Sequence, residues 1–446
     1  MAAEDQLKGW CRSALTSLAV AGICIFFWQA ATLSAFERFA KEFTAAYAEM
    51  DPDPYVLEFR DRLGNIPSEK ILLERQFFFK EQHEQLRQLR SKGIEHAHKA
   101  EAALIEYLIT RHQQQLKLEV EWSKAGRSMP MRGLEGVPMR QDWYQWLIER
   151  YTSTKISPGE VKAMGHQEIA RCKEQLERLS RELGFSSNAE FQSECSSNRS
   201  QVTDKDELIG HFDRLDSVVR SRLPDFVVIE DPPSVQPMEW PGAGANTPPG
   251  IYLSKEYNPY GTDVFQFNFY NNTFNLRNLG WLYMHEAIPG HHLQSSIRRA
   301  QPHTDLRAHL VEGGNFEGWA CYVEYLGDGL GVYDDPWQEV GKWEWDLVRS
   351  TRLVLDVGIH HEGWSRDEAL RFWRNTIPGQ DAIAEREVDR VTAMPGQVLS
   401  YKVGAAKIEE LKRKYLQADE ERSAKDFHMA FLMAGQVPLE IMAYFL

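Results

Sequence analysis

The sequence is poor in cysteine. Cys11, Cys24, Cys172, Cys195 and Cys321 are its five, and no two of them stand in a CxxC or similar spacing. That excludes a disulfide-rich scaffold and a zinc knuckle built on paired thiols. If Cys11 and Cys24 belong to a leader, the remaining three allow one intramolecular disulfide at most, so cysteine usage leaves the compartment open. Basic charge is also short, with 51 Lys and Arg against 65 Asp and Glu for a net charge of −14. A nucleic-acid groove needs a local excess of cations over phosphate, so no nucleic-acid partner is expected, although a small basic pocket is compatible with the balance. No internal repeat of fixed period is present. What the chain does have is aromatic surface to bury, in 13 Trp, 16 Tyr and 22 Phe. Charged residues at 26% and hydrophobic ones at 43% are ordinary for a folded protein and exclude wholesale disorder. A chain of 446 residues implies two or three lobes or one large elongated domain.

One stretch alone is long and apolar enough to cross a bilayer. Ser13 to Phe36 carries no charge, and its densest part is Leu18 to Trp28. Lys8 and Arg12 before it, and small residues around Thr32–Ser34, read as a secretory signal peptide or a membrane anchor over residues 1–35. Thr16, Ser17, Gln29, Thr32 and Ser34 dilute the run, and Glu4 and Asp5 precede it, so a buried first helix is the rival reading. A membrane tether through residues 13–36 and a secreted, periplasmic or cytoplasmic location all stay open at this point.

Residues 36–223 form a helical, charged N-terminal half with few glycines. Ile71–Phe79 and Ala102–Ile109 carry apolar residues at three- and four-residue spacing. Ser157-Pro-Gly-Glu160 is a capping-box start with proline in the first turn, opening a long helix that Gly184 ends. Gly126 to Val137 reads as a loop. From Pro224 the composition shifts to prolines and glycines, and residues 224–446 form the second half. Asp263 to Tyr270 alternates apolar Phe265, Phe267 and Phe269 with Gln266, Asn268 and Tyr270, which predicts a strand with one greasy and one polar face. Leu279 onward is helical again.

Three histidines and a glutamate fall within eight positions at His285-Glu286-Ala-Ile-Pro289-Gly290-His291-His292. Imidazoles with an adjacent carboxylate are the ingredients of a zinc site whose open position holds water, the carboxylate serving as general base. The HExxH pattern, with histidines four apart on one helical face, is absent because position 289 is proline. On a regular helix the later histidines would lie ~9 and ~10.5 Å from His285 along the axis, too far to share an ion. Pro289 cannot donate to the carbonyl of His285, so a bulge or kink is expected there, drawing a later histidine back. His291 is the preferred second ligand, with His292 then orienting substrate; the reverse assignment is also open. Glu317 lies 26 residues after His291, room for a turn and an antiparallel helix that brings a third ligand to the metal. Glu324, two turns further on, is expected in a supporting role.

The segment His285–Gln294, followed by Glu317-Gly-Trp-Ala320, resembles the bacterial family catalogued as domain of unknown function 885, grouped with zincin metallopeptidases that use a glutamate third ligand. Tyr151–Glu160, Arg352–Trp364, Glu387–Gly404 and Phe427–Leu439 resemble further blocks of that family. The resemblance covers roughly Phe36 to Leu446, and Val391 departs from it where an aromatic residue is common. It implies a mainly α, large helical zincin-like metallopeptidase fold with a small β-sheet next to the motif helix. It also implies a Zn2+ cofactor and a hydrolase site over residues 224–446, but kinship of fold fixes neither substrate nor reaction.

The expectation is a zinc-dependent hydrolase, a metallopeptidase acting on short peptides or amides. His285, His291 and Glu317 would hold the metal, Glu286 would activate water, and Tyr401 and His360 would support the transition state. Substrate would be held by Asn268 and Tyr270 on a polar strand edge, by His292, and by Arg352 and Lys402 at a carboxylate. Two rivals are a zinc hydrolase or lyase on a non-peptide small molecule, and an inactive binding protein on the same frame. The oligomeric state is not legible.

Overall fold

A computed structural model describes residues 33–53, 58–259, 261–377 and 381–446. The apolar stretch read as a leader, anchor or first helix lies outside these residues but for its last few. Among the described residues no helix is long and apolar enough to cross a membrane.

The chain is mainly helical. Its longer helices are α1 (Ala35–Met50), α2 (Glu69–Lys92), α3 (Lys99–Lys124), α4 (Arg140–Thr152), α5 (Pro158–Glu182), α6 (Lys205–Arg222), α7 (Leu279–Glu286), α8 (His291–Ala300), α9 (Gly313–Glu324), α10 (Pro336–Val357), α11 (Arg366–Thr376), α12 (Asp381–Ala393), α13 (Leu399–Ala418) and α14 (Ala424–Ala434). The two apolar runs read as helical fall in α2 and α3, and Gly126 to Val137 is a loop between helices. Helix α5 starts as its sequence dictates. Ser157 and Glu160 form a reciprocal capping box with Pro158 in the first turn. It stops at Gly184, whose φ of +83° reverses the chain while Phe185 N–H donates to Ser180 O at 3.0 Å.

Two small sheets complete the fold. Strands β1 (Gln201–Val202) and β5 (Phe274–Asn275) form an antiparallel pair. Strands β2 (Gln236–Glu239), β3 (Gly250–Leu253) and β4 (Val264–Phe267) form a sheet in the order β2-β4-β3. β4 is therefore central, parallel to β2 and antiparallel to β3. The predicted two-faced strand over Asp263–Tyr270 is corrected here. It is four residues long, and all four are buried, because neighbours cover both sides. Phe265 and Phe267 pack on Phe212 of α6 at centroid distances of 5.0 and 5.5 Å. The edge strand beside the motif helix is β3.

Two hydrophobic cores share the chain. One gathers α1–α5 with α10–α12, through residues such as Phe43, Phe79, Trp143, Leu353 and Trp373. The other gathers α6, β4, α7–α9, α13 and α14, through Phe212, Phe267, Trp281, Trp319 and Phe431. Each core draws on residues from both sides of position 224.

Candidate metal centre

Helix α7 carries Leu279, Trp281, Leu282, Tyr283 and Met284 around its whole circumference, and all eight of its residues are buried. A helix that is apolar all round has to be enclosed, and enclosing it carries His285 and Glu286 into the interior. The predicted bulge after His285 proves to be a full break. α7 ends at Glu286, Ile288–Pro289 is a cis peptide, and α8 starts at His291. Gly290 lies so close to the end of α7 that a Cβ would overlap the carbonyl oxygens of His285 and Met284. Only glycine permits that approach. Trp319 Nε1 donates to Pro289 O at 2.8 Å and ties the turn to α9.

Helix α9 is held from the other side. Glu312, at its N-terminus, accepts from Arg111 Nη1 at 2.7 Å and from Ser153 Oγ at 2.8 Å. Arg111 and Arg150 share Asp53 behind it. Gly318 packs against α13 where a Cβ would stand 2.6 Å from the Gly404 backbone. These contacts place Glu317 against the two imidazoles.

Glu317 Oε2 lies 3.4 Å from His285 Nε2 and 3.5 Å from His291 Nε2. Ligands on a tetrahedral ion with ~2.0–2.1 Å bonds are separated by ~3.3 Å, so the spacing fits one cation. Buried, Glu317 Oε2 makes no hydrogen bond of standard geometry among the described residues, which leaves its lone pairs available to a cation. His285 Nδ1 lies 2.7 Å from Glu324 Oε1, and Glu324 Oε2 accepts from Arg349 Nη1 at 2.6 Å. With its Nδ1 proton given to Glu324, the ring turns the Nε2 lone pair toward Glu317 and His291. Phe316 stacks on the His291 ring at 3.8 Å.

The electrostatics agree. Burial raises the Glu317 pKa, but the neighbouring His285 and His291 imidazoles outweigh it and hold the carboxyl well below its ordinary range. A second group, His285 with Cys321 and Glu324, also converges. There His285 Nδ1 is already engaged, and burial pushes the Cys321 thiol up, against its serving as a thiolate.

The predicted residues part company here. His285, Glu286, His291, Glu317, Arg352 and Tyr401 line one cleft of about 460 Å³. Glu286 Oε2 accepts from Tyr252 N of β3 at 2.8 Å. The Tyr401 ring lies nearly parallel to His285, 6.3 Å away, and its hydroxyl accepts from Arg390 Nη2 at 3.2 Å. Arg352 reaches the cleft with its charge already met by Glu387, at 2.7 Å.

Five others are elsewhere. His292 is fully buried, with Nε2 3.2 Å from Pro233 O and its ring against Tyr252. Consecutive helical residues point about 100° apart, so one histidine of the pair had to face away. His360 is buried with Nε2 2.9 Å from Val391 O, and burial lowers its pKa to about 4. Lys402 is buried between Glu168, at 2.6 Å, and Asp346, at 2.9 Å. Asn268 Nδ2 donates to the carbonyls of Gly244 and Thr247, at 3.1 and 2.9 Å, bracing a loop. Tyr270 lies past the end of β4 and half-exposed; with Asn268 it lines a neighbouring pocket. Arg349 and Arg390 were missed. Their signal in sequence was their helical spacing from Arg352 and Glu387.

No curated protein matches the chain. Solved structures do match. A Colwellia psychrerythraea protein, described as a "putative lipoprotein", has 23% identity and a TM-score of 0.65 over 77% of this chain. This chain spans about 61% of that protein's resolved length. A Shewanella oneidensis protein, described as a "putative lipoprotein of unknown function", has 15% identity and a TM-score of 0.71, covering 92% of this chain and 99% of that one. At such identities the likeness is one of fold. Across residues 29–445 the chain matches the family described as bacterial protein of unknown function (DUF885), and it belongs to that family.

Proposed function

We propose that the protein is a zinc-dependent hydrolase, a metallopeptidase of zincin-like architecture acting on short peptides. The observation that carries this reading is Glu317 Oε2, buried without a donor and 3.4–3.5 Å from two imidazole nitrogens, with a second carboxylate, Glu286, lining the same cleft. Two imidazoles and one carboxylate suit zinc and leave its fourth position open. A zinc ion held by His285, His291 and Glu317 would supply Lewis-acid polarisation and bring a water into reach of deprotonation near neutral pH.

The remaining work belongs to the chain. Glu286, held by the Tyr252 amide, takes the proton of the attacking water and later returns it to the leaving amine. Tyr401 accepts from Arg390, so its own hydroxyl proton is free for the oxygen that gains charge. β3 is an outer strand of its sheet, and Gly250 to Tyr252 line the cleft. An extended peptide can add to that edge by backbone hydrogen bonds.

The test is metal analysis of the purified protein with a peptide-library digest, comparing wild type with Glu286→Gln. The expected result is one zinc per chain in both proteins and a loss of turnover of about 10²–10⁴-fold in the variant. Near-normal turnover in Glu286→Gln, or no stoichiometric metal, overturns the reading.

A further inference from the structure

Four arginines and three glutamates line the metal-side cleft. Three of the arginines are ion-paired within the protein. Arg349 pairs with Glu324 at 2.6 Å, Arg352 with Glu387 at 2.7 Å, and Arg386 with Glu387 at 2.8 Å. Glu387 thus serves two guanidinium groups, one on each oxygen. Arg390 makes no ion pair among the described residues. Its Nη2 donates to two neutral oxygens, Gln397 Oε1 at 3.1 Å and Tyr401 Oη at 3.2 Å. The side chain is only partly exposed, so water solvates its charge incompletely. Among the carboxylates whose fields reach it are Glu387, already shared, and Glu317, which faces His285 and His291.

From this we propose that Arg390 receives the free C-terminal carboxylate of the substrate, so that the cleft selects short peptides cut near their C-terminal end. The proposal rests on the hydrolase reading above. Arg386, Glu387 and Arg390 recur at helical spacing on α12 and, with Met394 just past its end, line a single wall. The strand β3 lines the same cleft. At about 460 Å³ the cleft has the volume of a small-ligand site. A guanidinium whose Nη1 makes no hydrogen bond among the described residues can give a charge-assisted hydrogen bond to a carboxylate, a stronger pair than it makes with a backbone carbonyl. Arg390 donates to Tyr401, whose ring lies 6.3 Å from that of His285, so this anion site stands beside the His285 imidazole, where the end of a chain fits and its middle would leave the charge unanswered. A partly buried cation hydrogen-bonded only to neutral oxygens lacks a close counter-charge, and an incoming carboxylate supplies one.

The experiment compares N-acetylated tripeptides as free acids and as C-terminal amides. Binding is measured by calorimetry on zinc-loaded Glu286→Gln protein, where turnover does not interfere, and kcat/KM is measured on the wild type. Free acids are expected to bind about 10–100-fold more tightly than the amides, the range of a charge-assisted hydrogen-bonded pair. Adding Arg390→Gln should erase that preference while leaving amide binding within about twofold, and Arg390→Lys should keep part of it. Zinc content and thermal unfolding of each variant identify any that misfold, and Arg390→Lys then carries the comparison. Equal binding of acids and amides overturns the proposal, as does equal weakening of both by Arg390→Gln, which would leave Arg390 as a prop for Tyr401. Failure of every peptide to bind also overturns it. Preferential binding of acids with no cleavage by the wild type refutes the hydrolase reading and leaves the carboxylate site standing.

Discussion

His285 is the residue on which the candidate site turns, because both its nitrogens are committed. Nε2 faces Glu317 and Nδ1 faces Glu324, whose other oxygen holds Arg349. Glu324 therefore sets the tautomer and the aim of the ring without touching the metal position. Glu324→Gln should lower zinc affinity by about 10–100-fold, read by competition with a chelator of known affinity. It should also destabilise the fold, because Arg349 would keep its burial and lose its counter-charge; breaking such a pair costs about 3–5 kcal/mol. Unchanged affinity would remove Glu324 from the metal's support. His285, Glu286 and Glu317 were legible as a chemical set from spacing alone, and so was the preference for His291. Lys402 and His360 were not. A lysine or histidine in sequence carries no mark of whether a distant carboxylate or carbonyl has already claimed it, as Asp346 and Val391 do here.

The turn between α7 and α8 makes the site possible at the scale of elements. Pro289 announced a break in the helix, but its form depends on contacts that the local sequence does not contain. Trp319 of α9 caps the Pro289 carbonyl, and the close packing at Gly290 lets α8 start directly against the end of α7. Gly290→Ala should cost ~2–3 kcal/mol or more, since the new Cβ meets backbone that cannot swing aside. Its urea midpoint should fall and its zinc stoichiometry drop with it. An unaltered midpoint would show that the turn accommodates a side chain. Removing zinc from the wild type should loosen the same three helices. A ligand present at 100 times its Kd contributes about 2.7 kcal/mol of stability, so a chelator should lower the unfolding temperature and zinc should restore it. Capping boxes such as Ser157–Glu160 were legible because they close within four residues. The β4 strand was misjudged in length and exposure because β2 and β3, which flank its two edges, and Phe212 of α6, which packs on its Phe face, all lie more than ten residues away in sequence.

Across the whole molecule, burial dictates the acid response. His112, His360 and His428 are buried, and burial lowers their pKa values to about 3, 4 and 4. In the unfolded chain each titrates near ~6.5. Between those values the unfolded chain binds more protons, so the stability these groups contribute is complete above ~6.5 and is lost as pH falls toward about 4. Each adds up to ~1.4 kcal/mol per pH unit within its window. Urea unfolding at pH 7, 6 and 5 should show a steepening decline, and a flat profile would contradict the buried, neutral state of these imidazoles.

From the sequence alone came the mainly helical class, the break after His285 and the grouping of His285, His291 and Glu317 with Glu286, because each rests on short-range periodicity, on proline's missing donor or on the chemistry of side-chain types. Tertiary structure decided that His291 faces Glu317 while His292 turns away, and that Arg390 is left without an ion pair among the described residues. It also decided which strand forms the cleft wall. Those outcomes depend on which partner reaches a side chain first from a distant part of the chain, and linear spacing does not encode that contest.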